Sequence, residues 1–469
     1  MAAGSVERTG VCASVWRELA GEARPPDRTH PTGTSKAQGW RIGRGAGICG
    51  GVPRRDPDDP PRASVGRPSF SWPGKAEAEA LARTPGAARM SEAPDESLAH
   101  ATTENLFVEG DNLEALKLLQ ATHAGQVKLI YIDPPYNTGN DYTYPDRYAD
   151  HAAWLSMMLP RLVLARALLR ADGALCVSID DREAHHLRVL LDELFGEANH
   201  AATIAWQKRD TPANDARGIS VTHEYVLVYR RSEAFARNLL PRSDDQLANY
   251  KNPDGDPRGP WTRTSLIRKE ERAGRRYAVK NPQGRERVPP AGTSWRVPPE
   301  TFAAYAAEGR IWWGQDGDSD LPYLKRFVTD VREGVVPVTW WSHEFAGSNR
   351  HAKLEIRELF AGEVPFDTPK PVKLLRRIVA LASGEGDVVL DFFAGSCTTA
   401  QAVLEQNRAD GGRRRFIVVQ EAAPTGRADL PTIAEVGKER IRRACARLGA
   451  RPGEDVGFRV VKLVAREAE

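Results

Sequence analysis

The stretch Lys128-Leu-Ile-Tyr-Ile-Asp-Pro-Pro-Tyr-Asn-Thr-Gly139 constrains this chain most. Leu129 to Ile132 is a short apolar, β-rich run of the kind that forms a buried strand. Pro134 and Pro135 then end the pairing, because neither can donate to a ladder and each fixes its own φ. Asp133 and Tyr136 are therefore held on a stiff loop at the C-terminal edge of a strand. Ligands bind at that edge in open α/β sheets. The expectation is a pocket that grips a flat, hydrogen-bonding group.

Strands and helices alternate on both sides of this loop. Asn105 to Asn112 reads as a strand ending at Gly110-Asp111, before a helix with Leu113, Leu116 and Leu119 on its apolar face. Trp154 to Leu169 reads as a buried helix broken or kinked at Pro160. Ala174 to Ile179 is a strand, Leu187 to Phe195 a helix and Tyr225 to Tyr229 a strand. Further on, Val372 to Leu381 is a helix, Asp387 to Asp391 a strand, and Arg415 to Gln420 another strand. Ile433 to Leu448 closes the series as a helix. Such alternation implies an α/β fold with a mostly parallel sheet.

A length of 469 residues implies two or three domains. Residues 1–69 are rich in Gly, Pro and Arg and read as a disordered or artefactual extension. Gly45 to Gly50 matches GxGxxG by chance, since no strand precedes it. Order begins near Ser71 and firmly at Asn105. With 28% charged residues and no long apolar run, the expectation is a soluble, cytoplasmic protein without a membrane span. The five cysteines form no CxxC pair, so no zinc ribbon and no metal site is expected.

Periodicity fades between about 235 and 365. Eleven Lys/Arg stand against five acids from Lys251 to Arg287, a local charge of +6 on a chain whose net charge is only +3. Among them are Arg258, Arg263, Arg268, Lys269, Arg275 and Arg276. Trp261, Tyr277, Trp295, Trp312, Trp313, Trp340 and Trp341 lie among or just beyond these charges. The mixture suits phosphate contacts and base stacking; the plainer reading is a solvated basic loop region with tryptophans filling a small core.

Asp391 to Ala400 leads from a strand through Gly395 into a helix start. Free N–H groups there favour the carboxylate or phosphate of a nucleotide-like ligand, although a tight turn alone reads as well. It is neither a Walker A loop nor the dinucleotide fingerprint. Glu421, at the end of the next strand, is suited to accept both ribose hydroxyls.

Five segments occur in order: Glu109 to Leu119, Tyr131 to Asp141, Lys251 to Trp261, Phe366 to Pro371, and Leu390 to Ser396 with Thr398 and Thr399. Together they resemble the β-class amino DNA methyltransferases, and more narrowly the modification (Mod) subunit of type III restriction–modification systems. The likeness runs from about Ser71 to Leu463. It implies a Rossmann-like, S-adenosylmethionine-dependent sheet with an inserted target-recognition domain. The expected boundaries are 70–234 for the catalytic half, 235–365 for the insertion and 366–469 for the cofactor-binding half. It also implies adenine-N6 methylation of double-stranded DNA, with cytosine-N4 methylation or a weakened DNA-binding homologue as alternatives. A homodimer and a separate restriction (Res) subunit are the expected partners.

Adenine N6 is a poor nucleophile because its lone pair is conjugated into the ring. Asp133 and the Pro134 carbonyl would each accept one N6–H, favouring the pyramidal nitrogen of the transition state. Tyr136, after Pro135, would stack the extruded base. By the resemblance, Asp391, Phe392, Ala394, Gly395, Ser396, Thr398, Glu421, Asp111, Lys370 and Pro371 hold the cofactor, with Asp111 on a strand lining its pocket. Asp111 reads equally as a helix N-cap. One departure stands out: Cys397 replaces the family's second glycine. If that position needs a left-handed backbone or close approach of the cofactor, the side chain would cost about 1–2 kcal/mol and weaken binding.

Overall fold

The computed structural model describes residues 70–466 apart from 215–217, 243, 332 and 333; residues 1–69, the expected extension, lie outside the described residues. Its first half supplies β1 (Ala88–Glu92), β2 (Leu106–Glu109), β3 (Val127–Ile132), β4 (Leu169–Ile179), β5 (His200–Gln207) and β6 (His223–Arg230). A small antiparallel sheet follows, of β7 (Trp261–Ser265), β8 (Ile311–Trp312) and β9 (Tyr323–Phe327). The chain then returns through β10 (Trp340–Trp341), β11 (Val388–Asp391), β12 (Arg415–Gln420) and β13 (Arg459–Ala465). Ten of these strands form one sheet in the order β1-β13-β2-β12-β11-β3-β4-β6-β5-β10. The centre, from β13 to β4, is parallel throughout.

Helices cover both faces. One face carries α1 (Lys75–Arg83), α2 (Asn112–His123), α3 (His151–Leu168) and α4 (Ala184–Phe195). On the other lie α6 (Val372–Ala382), α7 (Thr398–Asp410) and α8 (Ile433–Leu448), after α5 (Asn349–Leu359). Strand β3 shows why its run is continuously apolar. Ile130 and Ile132 enter one core, Leu129 and Tyr131 the other, so both faces of the pleat are buried. Leu390 of β11 lies level with Ile130 of β3 and Ile417 of β12. The parallel register therefore brings Asp133 and Asp391 out at the same sheet edge.

Several elements differ from expectation. Helix α3 runs unbroken through Pro160, with nine of its residues buried; packing on that scale outweighs the lost hydrogen bond. Strand β4 begins five residues early, at Leu169, directly after α3. α1, β1, β5 and β13 form where no element was expected, so the helix ending at Leu448 does not close the series. β1 is held by pairing with β13, a partner over 360 residues away in sequence. The 235–365 segment is not uniformly loop: Trp295, Trp313, Leu266 and Phe302 make a small core of their own. Trp261 and Trp341 are buried as well. Those tryptophans are therefore structural and are not available to stack on bases; Trp340 is 55% exposed, and Trp312 and Tyr277 are half-buried.

Candidate active site

The Asp133–Tyr136 loop is fixed from several sides. Trp154 Nε1 donates to the Pro135 carbonyl at 2.7 Å. Beyond Tyr136, Asn137 adopts a left-handed φ of 60°. Its backbone N–H donates to Asp146 Oδ1 at 2.8 Å, and its side-chain amide donates to the fully buried Glu183 at 2.9 Å. Among the described residues no donor reaches the Pro134 carbonyl, which stays an open acceptor.

Two cavities meet at Asp133. The first, about 280 Å³, is lined by Asp111, Asn112, Lys370, Asp391 to Ser396, Thr398, Glu421 and their neighbours. The second, about 570 Å³, is lined by Asp133, Pro134, Tyr136, Lys208, Glu224 and Lys353 among others. Asp133, Tyr144, Thr368, Pro369 and Lys370 belong to both.

At the junction, the Lys370 ammonium donates to the two Asp133 oxygens at 2.7 and 2.6 Å. Tyr136 donates its hydroxyl to Asp133 at 2.8 Å and faces Glu224 at 3.2 Å. Lys208 closes the network with 3.0 Å to Glu224. Burial pushes the Asp133 carboxyl above the usual range, against the opposing pull of Lys370. Burial disfavours the Lys370 charge, yet the carboxylates of Asp133 and Glu224 outweigh it and raise its pKa. Burial also opposes charge on Glu224, but Lys370 and Lys208 hold it below the ordinary carboxylate value. The short contacts to both oxygens describe Asp133–Lys370 as an ion pair.

In the first cavity, Asp391 accepts from Thr399 Oγ1 at 2.5 Å and from the Phe393 N–H at 3.0 Å. Burial pushes its carboxyl up to about 7. Behind the turn, the buried Arg440 donates to Ser396 Oγ at 2.9 Å and Thr398 Oγ1 at 2.6 Å. Asp111 combines its two readings. It caps α2 by accepting from the Glu114 N–H at 3.0 Å, pairs with Arg161 at 3.2 Å, and lines the cavity. It sits one residue beyond Gly110, which itself follows β2, rather than on the strand. Pro371 is the one cofactor candidate outside the lining; it is buried against Gly347 at the start of α6.

Cys397 has the left-handed backbone its family position implied, φ 60° and ψ 37°. Its sulfur, however, does not line either cavity. It points into the core, where a Cβ on Gly437 would come within 2.7 Å of it. The expected obstruction of the cofactor is thus corrected: the side chain turns away, and the missing side chain at 437 makes room for it.

The basic candidates divide. Arg258 is committed to Asp256 through Nε at 2.8 Å and Nη2 at 2.7 Å and lies over the Phe327 ring. Arg276 pairs with Glu271 at 2.9 Å, and Arg275 reaches the Arg296 carbonyl at 3.4 Å. Arg263 and Lys269 are exposed and Arg268 half-buried, none with a side-chain partner among the described residues. Sequence reasoning missed Glu224, Lys208, Arg161, Tyr144 and Arg440. Tyr144 follows the Asp133–Tyr136 loop closely in sequence, whereas the others are single residues brought in from distant elements; none carries a local motif to mark it.

The sheet is Rossmann-like, and its edge joins two cavities through one carboxylate. The family described as DNA methylase matches residues 127–422. The chain is 36% identical to the Type III restriction-modification enzyme StyLTI Mod subunit of Salmonella typhimurium, over 76% of this chain and 60% of that one. It is 29% identical to the EcoP15I Mod subunit of Escherichia coli, over 84% and 71%. With the Type II methyltransferase M.KpnI of Klebsiella pneumoniae it shares 30% over 71% of this chain and 84% of that one. The chain belongs to the DNA methylase family. It spans about 60% of the length of the StyLTI relative.

Proposed function

We propose that the chain is a site-specific DNA adenine-N6 methyltransferase that uses S-adenosylmethionine and acts as a type III modification subunit. The observation that carries this reading is the junction of the two cavities at Asp133, beside the open Pro134 carbonyl. The first cavity fits the donor by its chemistry. Asp111 and Glu421 offer carboxylates to hydroxyls and amines, the α7 N-terminus offers N–H groups to a carboxylate, and Phe392 offers an apolar wall. When bound, S-adenosylmethionine supplies an electrophilic methyl group.

The second cavity takes the flipped base. Asp133 accepts one N6–H and the Pro134 carbonyl the other, which localises the lone pair on nitrogen. Asp133 would take the proton that the amino nitrogen gives up when it accepts the methyl group that S-adenosylmethionine would supply from the first cavity. Tyr136 offers its ring to the base and its hydroxyl to Asp133, keeping the carboxylate oriented. Asp at the head of the motif, where Ser is commoner for cytosine-N4 enzymes, favours adenine.

In this reading Arg263, Arg268 and Lys269 of the insertion contact DNA. A restriction subunit and a second copy of the chain are its protein partners, in the cytoplasm. No helix among the described residues is long and apolar enough to cross a membrane. The test is Asp133→Ala assayed with labelled S-adenosylmethionine on unmethylated bacterial DNA. Methyl transfer should fall by at least roughly a hundredfold while DNA binding persists; retained transfer overturns the mechanism.

A further inference from the structure

We infer that Glu224 is a positioning residue, the second seat to which Lys370 moves when the target base arrives, releasing Asp133 for the amino group. The inference rests on the methyltransferase reading above.

As the site stands, Asp133 is not ready for its task. Lys370 bridges both its oxygens, and Tyr136 takes a further lone pair of Oδ1. One lone pair of Oδ2 remains. An incoming N6 amino group would meet a carboxylate already neutralised. As the C–N bond forms, the nitrogen gains positive charge beside an ammonium a hydrogen bond away. Like charges that close in a half-buried site repel. Lys370 therefore has to leave, and a bare ammonium cannot be left unpaired in a buried site.

Glu224 supplies the destination. Its carboxylate lies 3.9 Å from the Lys370 ammonium, a small side-chain adjustment away from full contact. It is buried, lines the same cavity as Asp133, Pro134 and Tyr136, and is tied to Tyr136 at 3.2 Å. Strand β6 points it there by alternation, on the face shared with Val226 and Val228. Lys208 balances Glu224 at 3.0 Å. Two carboxylates and two ammoniums thus remain together wherever Lys370 stands, so its shift carries no net charge into or out of the cavity. Tyr136 touches both carboxylates and would keep Asp133 oriented during the exchange.

The experiment is a double-mutant cycle of Glu224→Gln and Lys370→Met, read as single-turnover methylation of unmethylated bacterial genomic DNA with labelled S-adenosylmethionine. Glu224→Gln should slow transfer by roughly tenfold to a hundredfold, with affinities for S-adenosylmethionine and DNA unchanged. In the Lys370→Met background the same substitution should have no further effect, because there is no ammonium left to receive. A wild-type rate for Glu224→Gln, or an equal loss in both backgrounds, overturns the inference. If Glu224→Gln does not fold, Glu224→Asp takes its place, with a smaller loss that Lys370→Met must again abolish. A wild-type chain that methylates no DNA overturns the methyltransferase reading, and this inference with it.

Discussion

Cys397 shows how one residue's conflict is absorbed by its neighbours. A left-handed Cys costs about 1–2 kcal/mol relative to glycine, while a buried sulfur regains about 1 kcal/mol by leaving water. The two nearly cancel. Cys397→Gly should therefore change S-adenosylmethionine affinity by less than about threefold, measured by calorimetry. Gly437→Ala should instead destabilise the fold by about 1–3 kcal/mol in denaturant titration, because its Cβ would press on the sulfur. Combining the two should recover much of that loss.

Asp391 offers a residue-scale prediction with a pH signature. Its folded pKa of about 7 lies above the ordinary 3.8, so the folded state binds more protons between those values. Stability held by the protonated form is present below 3.8 and is lost as pH rises through 7. Asp391→Asn removes that loss, and Thr399 Oγ1 can turn to accept from the amide. The variant should be the more stable at pH 8, by up to about 4 kcal/mol, with the difference vanishing towards pH 4.

At the scale of elements, what the sequence made legible was whatever is coded locally. β12 and α8 fall on the expected residues, and the Asp133 and Asp391 turns lie together because each ends a buried strand of a parallel sheet. β1 escaped because its strand character comes from β13, far away in sequence, and β5, which pairs with the next strand β6, because its His, Ala and Gln residues carry little β-preference of their own. The basic insertion misled for a similar reason. Composition counts charges without saying which are paired: Arg258 is locked to Asp256 beside the buried Lys325, whereas Arg263 on β7 is exposed, with no side-chain partner among the described residues. Arg258→Ala should therefore destabilise the insertion by about 1–3 kcal/mol, read by thermal unfolding. Arg263→Ala should leave stability unchanged and lower the slope of log affinity against log salt by about 1 in DNA titrations.

Over the whole molecule, near-neutral charge means that the DNA affinity of the proposed function has to come from where cations cluster. The insertion is one such place. The rim of the second cavity is another. Arg209 beyond β5 and Lys353 on α5 line that rim, both exposed and without a side-chain partner among the described residues; Arg350 beside them is loosely paired with Asp210 at 3.7 Å. These side chains come from separate elements, one after β5 and the other on α5, and converge on the cavity that the proposed function assigns to the flipped base. The phosphates flanking that base would pass within their reach. Because such contacts release counterions from the duplex, their loss is read in salt dependence rather than in catalysis. Replacing Arg209 and Lys353 together by alanine should weaken DNA binding and reduce the salt slope by about 2, with S-adenosylmethionine affinity unchanged. A slope equal to that of the unaltered chain would mean that the duplex enters by another face and that the insertion alone carries the phosphate contacts.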